Sequence, residues 1–98
     1  MTVKEKRGRR RYIAFTVRAD LRKEALIRAL KDNSADPPYV IQCAEGWAIV
    51  RCSPDTADAT ISAVREADPS SVPLRTSGTL ATLRDRYPEL KRLRPAKH

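Results

Sequence analysis

The strongest constraint on the fold is a pair of short apolar runs, residues 39–43 and 48–52, with Glu45-Gly46 between them. This pattern predicts a β-hairpin, because a glycine in a two-residue turn permits the left-handed backbone that joins antiparallel strands. A three-residue turn would instead move one strand's side chains to the opposite faces. With the two-residue turn, one face receives Tyr39, Ile41, Cys43, Ala48, Val50 and Cys52, and the other receives Val40, Gln42, Trp47, Ile49 and Arg51.

The hairpin also separates the two cysteines of the chain, Cys43 and Cys52. In the regular register they lie about 13 Å apart along the strands, which is beyond the reach of a disulfide. We therefore expect two reduced core cysteines, as is usual in the cytosol.

The remaining elements follow from strand and helix periodicity and from the residues that end each element. Proline and Ser, Thr or Asp caps mark the helix starts. In chain order, the sequence predicts a strand over 11–18, a helix over 21–31 capped by Asp20, a helix after Ser53-Pro54, a strand over 72–76 with Pro73 at a sheet edge, and a helix from Leu80 that Pro88 interrupts.

The resulting order is β-α-β-β-α-β-α, an α/β (α+β) chain of the ferredoxin-like or RRM-like β-α-β-β-α-β type with an extra C-terminal helix. We predict one domain over residues 12–90, preceded by a flexible basic arm over 1–11 and followed by a basic tail over 91–98. In this plan one face of the sheet is left over, and fold alone does not decide its use.

The charge lies at the two ends of the chain. The net charge is +8, yet residues 1–11 hold six basic residues against Glu5, and residues 91–98 hold four against no acid. The sequence between them is close to neutral. Basic arms gain affinity for phosphates by releasing counterions, so the ends favour a nucleic-acid partner over a solvated tail or a localisation signal.

Several classes of protein do not match the sequence. The chain has no apolar run of the roughly 20 residues that span a membrane and no secretory signal, so we expect a cytoplasmic protein without a membrane partner. Its single histidine is His98, and two distant cysteines do not form a zinc site. Without an internal histidine or a phosphate loop, we expect no catalytic residues, no bound metal and no cofactor held by the protein.

Two further regions are candidate sites. The segment 74–79 offers Arg75, Gly78 and capping hydroxyls at a helix start, which suits a phosphate but also describes an ordinary Ser/Thr cap. The leftover sheet face carries Tyr12, Trp47, Ile49 and Arg51. These side chains could stack bases, yet we favour cover by a partner protein or by Leu80, Leu83 and Tyr87 of the third helix.

Three motifs, taken in order, resemble archaeal ribonuclease P protein component 2. They are Arg10-Arg-Tyr-Ile-Ala-Phe15, Ala48-Ile-Val-Arg-Cys52, and Leu74-Arg-Thr with Ser77-Gly-Thr-Leu80. The family shows a basic residue before RYIAF, then GIVRC, then RTLGVSGTI before a basic helix. This chain lacks the three residues between Thr76 and Ser77, and Asp85 interrupts the basic character of its helix.

The resemblance implies an archaeal-type, RRM-like, noncatalytic subunit of ribonuclease P, an RNA enzyme that removes the 5′ leader of precursor tRNA in tRNA processing. Its implied partners are the ribonuclease P RNA, which carries Mg²⁺, and protein component 3, with precursor tRNA contacted indirectly. We predict a partner interface at Tyr12, Trp47 and Ile49. We predict RNA contacts at Lys4, Lys6, Arg7, Arg9, Arg10, Arg11, Arg51, Arg75, Thr76, Ser77, Gly78, Thr79 and Arg84.

Two alternatives stay open at this point. One is a general or ribosome-associated RNA-binding protein that uses its basic ends without a dedicated protein partner. The other is a ferredoxin-like regulatory domain that binds a small molecule, a common use of this topology. The basic ends and the lack of a ligand loop disfavour the second alternative.

Overall fold

A computed structural model describes residues 10–33 and 37–94 of the 98-residue chain. Within these residues there are four strands and four helices, and a 3₁₀ turn at Pro54–Thr56 precedes the second helix. The elements are β1 (Arg11–Thr16), α1 (Lys23–Asn33), β2 (Tyr39–Ala44), β3 (Trp47–Cys52), α2 (Ala57–Ala67), β4 (Val72–Ser77), α3 (Leu80–Arg86) and α4 (Pro88–Arg92).

The four strands form one antiparallel sheet in the order β2-β3-β1-β4. The chain is therefore an α+β protein, and this arrangement is compatible with the ferredoxin-like plan. The β4 strand lies at an edge of the sheet, as Pro73 in its second position predicts, because a proline has no N–H for a second neighbour. The predicted third helix is divided into α3 and α4 around Tyr87 and Pro88.

Helices α1 and α2 pack on one face of the sheet. Ile13, Phe15 and Val17 of the first strand region face them, as the alternation predicts. Leu26 and Leu30 of α1 and Val64 of α2 complete the buried cluster at helical spacing. In α1 an acidic Glu24 in the first turn and Lys31 in the last also complement the helix dipole.

Helices α3 and α4 pack on the opposite face of the sheet. Leu83 and Leu90 are fully buried there against Ala14 and Ile49. Around this cluster pack the half-buried side chains of Tyr12, Ile41, Trp47, Leu74, Leu80 and Tyr87. Cover by the chain's own C-terminal helices, which we favoured as one of two explanations for this face, is therefore confirmed. Helices therefore pack on both faces of the sheet.

The hairpin turn and the faces of β3 are correctly predicted, but the faces of residues 39–41 in β2 are not. Glu45 and Gly46 both have positive φ, 52° and 90°, as a two-residue turn of this kind requires. Pairing is regular from Ala44↔Trp47 to Gln42↔Ile49 and then shifts, so that Val40 lies opposite Val50. The extra residue, Ile41, is a β-bulge. Because of the bulge, residues 39–41 lie on the faces opposite to those predicted. Val40 packs in the α1–α2 core, and Ile41 packs with the α3–α4 cluster.

The first helix begins at Lys23, two residues later than the sequence predicts, and Asp20 does not cap it. Instead the Asp20 carboxylate accepts a hydrogen bond from Nε of Arg18 at 3.0 Å. Because Arg18 and Asp20 are close in the chain, this local ion pair competes with a role at the helix start. Leu21 is nevertheless buried in the core before the helix begins.

Asp68, at the end of α2, is the buried carboxylate of the domain, with 2% of its surface exposed. It accepts hydrogen bonds from the backbone N–H of Arg18 at 2.8 Å and from the N–H and hydroxyl of Ser70 at 3.0 and 2.6 Å. Burial opposes ionisation, but these hydrogen bonds and the Arg18 guanidinium outweigh it and lower the pKa of Asp68. The ionised carboxylate thereby joins the end of β1 to the α2–β4 connection.

Both cysteines are free, as the sequence predicts. Cys43 is buried, and burial, with a further contribution from the negative charge of Asp68, raises its pKa to about 11. Cys52 is half-buried. Among the described helices, none is long and apolar enough to cross a membrane.

Candidate nucleic-acid interface

The pairing of the four strands aligns one row of polar and aromatic residues across the sheet. Tyr39 of β2 lies opposite Arg51 of β3, Arg51 lies opposite Tyr12 of β1, and Tyr12 lies opposite Ser77 of β4. Directly opposed residues in antiparallel strands share a face, and here it is the face that packs under α3 and α4 farther along the strands. We call this row of Tyr39, Arg51, Tyr12 and Ser77 the open end.

The open end keeps substantial exposure. Tyr39 is 56% exposed, and Arg51, Tyr12 and Ser77 are half-buried. The guanidinium carbon of Arg51 lies 4.8 Å from the centre of the Tyr39 ring, a cation–π geometry. This contact holds a positive charge and an aromatic ring side by side on an exposed edge of the sheet.

Two further arginines, Arg10 and Arg11, lie at the open end. Arg11 is the first residue of β1 and pairs with Cys52. Its Nη1 donates a hydrogen bond to the carbonyl oxygen of Arg10 at 3.0 Å. The same nitrogen would lie 3.7 Å from a Cβ placed on Gly78. The predicted basic segment therefore meets the end of β4 at this point, since residue 10 is where the N-terminal segment joins the sheet.

These arginines have no acidic partner in the described part of the chain. The ion pairs there join Arg18 to Asp20 and Asp68, and Arg92 to Glu45. None involves Arg10, Arg11, Arg51 or Arg75. Positive charge that the described residues leave unpaired is available to a phosphate.

The turn after β4 is a capped helix start. Thr79 is the N-cap of α3, and its hydroxyl accepts a hydrogen bond from the N–H of Thr82 at 3.3 Å. The N–H of Thr79 in turn donates to the Ser77 hydroxyl at 3.2 Å. Two N–H groups of the predicted phosphate pocket are thus satisfied within the protein. Gly78 is not held in the left-handed region, and a Cβ there would make only ordinary contacts.

Arg75 and Thr76 are both exposed on β4, at the sheet edge. Thr76 pairs with Ile13 and Arg75 with Ala14, one and two residue pairs away from Ser77. The structure therefore spreads the predicted pocket along the edge strand.

The structure places Arg84 differently from the sequence prediction of an RNA contact. Its Nη2 donates to the side-chain oxygen of Gln42 at 2.8 Å, and Gln42 Nε2 donates to the carbonyl of Leu90 at 3.0 Å. Burial, and then the positive charge of Arg94, lower the pKa of Arg84. Its guanidinium faces the sheet and links α3, β2 and α4, so this side chain serves packing.

The predicted partner interface is mostly covered. Ile49 is fully buried under α3 and α4, so its placement on an exposed partner surface is wrong. The Trp47 ring packs against Tyr87, with ring centres 5.9 Å apart. Tyr12 and Trp47 remain half-buried. We call the region of Trp47, Ile49 and Ala14 beneath the two helices the covered end.

Sequence reasoning missed Tyr39 as a site residue because the regular hairpin register put it on the α1–α2 face. The bulge at Ile41 brings it beside Arg51 instead. No feature of the sequence marks the bulge, although an exposed tyrosine at a strand start is itself typical of a binding surface.

Lys4, Lys6, Arg7 and Arg9 lie outside the described residues. Within the described part, no group of three or more His, Cys, Asp or Glu side chains could hold a metal ion. Comparison of the chain with models of known protein families gives no match, and comparison with curated proteins gives none either.

Proposed function

We propose that this protein is an RNA-binding, noncatalytic subunit of a ribonuclease P of the archaeal type, with a ferredoxin-like, RRM-like domain. The three segments that carry the resemblance fall on β1, on β3, and on β4 with the start of α3. In the sheet, β3, β1 and β4 are consecutive neighbours. Motifs that are far apart in the sequence therefore meet on one surface, which supports a shared binding role.

The observation that carries the proposal is the open end together with Arg10 and Arg11. Arginine guanidinium groups make strong charge-assisted hydrogen bonds to phosphates, and exposed aromatic rings stack on unpaired bases. Four further basic residues precede Arg10 in the sequence. RNA held here would meet several positive charges that the described residues do not neutralise.

In this proposal, cleavage belongs to the RNA and its Mg²⁺, and the protein contributes charge and shape. Phosphates of the folded RNA repel one another, and arginines placed between them reduce that repulsion. The protein on its own is expected to cleave no RNA. Protein component 3 remains the proposed protein partner, contacting exposed surface rather than Ile49.

The proposal is tested by reconstitution of the ribonucleoprotein. Cleavage of precursor tRNA is measured with the ribonuclease P RNA, component 3 and Mg²⁺, with and without this protein. We expect the protein to raise the cleavage rate at limiting Mg²⁺, and the double variant R11A/R51A to lose most of that gain. R65A, which removes an exposed arginine from α2, is a matched control that retains activity.

A companion measurement is the salt dependence of RNA binding by the same variants. Each lost phosphate contact should lower the slope of log affinity against log salt by about 0.9 or slightly less. An unchanged slope in R11A/R51A, with no gain in cleavage from the wild type, would refute the proposal. Binding of unrelated RNAs with equal affinity would favour the general RNA-binding alternative.

A further inference from the structure

A groove lies beside the open end, where the start of β2, the end of β3 and the start of α2 meet. Its volume is about 430 Å³, and its walls include Pro37, Pro38, Tyr39, Arg51, Ser53 and Thr56. This volume is within the range of clefts that hold small organic ligands. The proposed phosphate contacts of Arg10 and Arg11 leave the groove itself unused.

Tyr39 gives the groove an aromatic wall. Arg51 packs over the ring, with 4.8 Å between its guanidinium carbon and the ring centre, while more than half of the tyrosine surface stays exposed. The cation–π contact restricts both side chains before any ligand arrives. A ring held in this way loses little entropy when a second flat group stacks on it.

The other walls suit a nucleobase. Pro37 and Pro38 add rigid apolar surface at the start of β2, next to Tyr39. Ser53 and Thr56 add hydroxyls that lie 3.1 Å apart. The Thr56 hydroxyl also accepts a hydrogen bond from the N–H of Ser53 and donates one to the carbonyl oxygen of Ser53, each at 3.3 Å. The Ser53 hydroxyl therefore keeps hydrogen-bonding capacity for the edge of a base.

The charge around the groove matches a nucleotide. Arg51 lines it, and Arg11 is paired with Cys52, another residue of its wall. No acidic side chain of the described residues lines the groove, although Asp55 lies in the exposed turn between Ser53 and Thr56. A phosphate attached to a base in the groove would therefore find its partners on the β1–β3 side.

We propose that this groove holds one unpaired nucleotide of a single-stranded RNA segment, with its base against Tyr39 and its phosphate towards Arg51 and Arg11. The inference rests on the proposed RNA-binding function and adds that the RNA at this end of the sheet is unpaired. A base inside a duplex is stacked on its neighbours and has no free face for the tyrosine.

The test compares the affinity of the full chain for a short fluorescein-labelled oligouridylate and for a blunt-ended RNA duplex of the same length. Y39A should bind the single strand about tenfold more weakly, because stacking on an aromatic side chain is removed. Its affinity for the duplex should be unchanged. Y39F keeps the ring and should bind both as the wild type does.

V72A is the matched control, since Val72 is 50% exposed on the opposite edge strand. It should leave both affinities unchanged. Circular dichroism of each variant checks the fold, and the exposure of Tyr39 at a strand start predicts that Y39A stays folded.

Three results would overturn the groove as a nucleotide site while leaving the proposed function intact. The first is equal single-strand affinity in Y39A and wild type while R11A/R51A loses RNA binding, and the second is an equal loss in Y39F and Y39A. The third is binding of free uridine monophosphate as tightly as the oligonucleotide, which would favour a small-molecule site. Failure of the wild type to bind any of the RNAs would refute the proposed function itself.

Discussion

The two ends of one sheet face have opposite surroundings although the same strands β1 and β3 build both. At the covered end, Ile49 and Ala14 are fully buried under Leu83 and Leu90. At the open end, two residues away along each of β1 and β3, Tyr12 and Arg51 lie beside the exposed Tyr39. The lengths of α3 and α4 decide the difference, because two short helices cover only part of a four-stranded sheet. One face can thus serve both stability and binding.

The largest effect is expected from opening the covered end. L83A removes a fully buried side chain from the cluster beneath α3 and should lower the free energy of unfolding by about 2–5 kcal/mol. Urea unfolding measures the change. L93A, a substitution at a half-buried position after α4, should lower the free energy of unfolding by clearly less than L83A. Equal costs would mean that the two helices do not pack on the sheet as described.

A smaller effect is expected from the Asp68 carboxylate, which braces β1 just beyond the covered end. D68N should lower the free energy of unfolding by about 1.5–3 kcal/mol at neutral pH, which is the contribution expected of hydrogen bonds to a charged group. Because the pKa of Asp68 is lowered by folding, its ionisation stabilises the protein above the unfolded-state pKa. That stabilisation is lost as the pH falls through the lower, folded-state pKa.

The difference in unfolding free energy between wild type and D68N should therefore shrink as the solution is acidified from neutral pH. Thermal unfolding over a pH series measures it. RNA binding at neutral pH should be unchanged, since Asp68 lies away from the open end. A difference that stays constant down to strongly acidic pH would contradict the lowered pKa.

Arg84 distinguishes packing from RNA binding at the covered end. R84A removes the hydrogen bond to Gln42 and should lower the free energy of unfolding by about 1–2 kcal/mol, as expected for one partly buried hydrogen bond to a charged group. The salt slope of RNA binding should stay at its wild-type value. A reduced salt slope of RNA binding with an unchanged free energy of unfolding would instead support Arg84 as an RNA contact.

The smallest effect on stability is expected at the open end. R11A removes an arginine that has no acidic partner among the described residues, and should change the unfolding free energy by about 0.5 kcal/mol or less. RNA affinity should nevertheless fall, with a salt slope lower by about 0.9. A loss of stability comparable to that of L83A would show that the two ends are not separate.

The covered end could be predicted from the sequence, whereas the open end could be predicted only in part. Apolar periodicity identifies Leu80, Leu83 and Tyr87 as a possible cover, and that cover is observed. The Glu45-Gly46 turn was predictable because positive φ at both positions follows from the turn type. These features depend on local patterns.

The errors have a common physical origin in specific pairings and polar contacts that a pattern of apolar residues does not show. The bulge at Ile41 depends on how β2 fits β3 and the two cores, so Tyr39 was assigned to the wrong face. The sequence predicts Asp20 as a helix cap because a hydrophobic pattern does not show its ion pair with Arg18. The inward orientation of Arg84 depends on Gln42, which lies 42 residues earlier in the chain.

The bulges have a consequence for how copies of this protein behave at high concentration. Both outer strands of the sheet are irregular: β2 carries the extra Ile41, and β4 shifts register beside Ala14 and holds Pro73. A neighbouring molecule needs an unbroken series of N–H and C=O groups to extend a sheet from its edge. Neither edge offers one over its whole length, so the strands that frame the proposed RNA surface are also poor templates for aggregation.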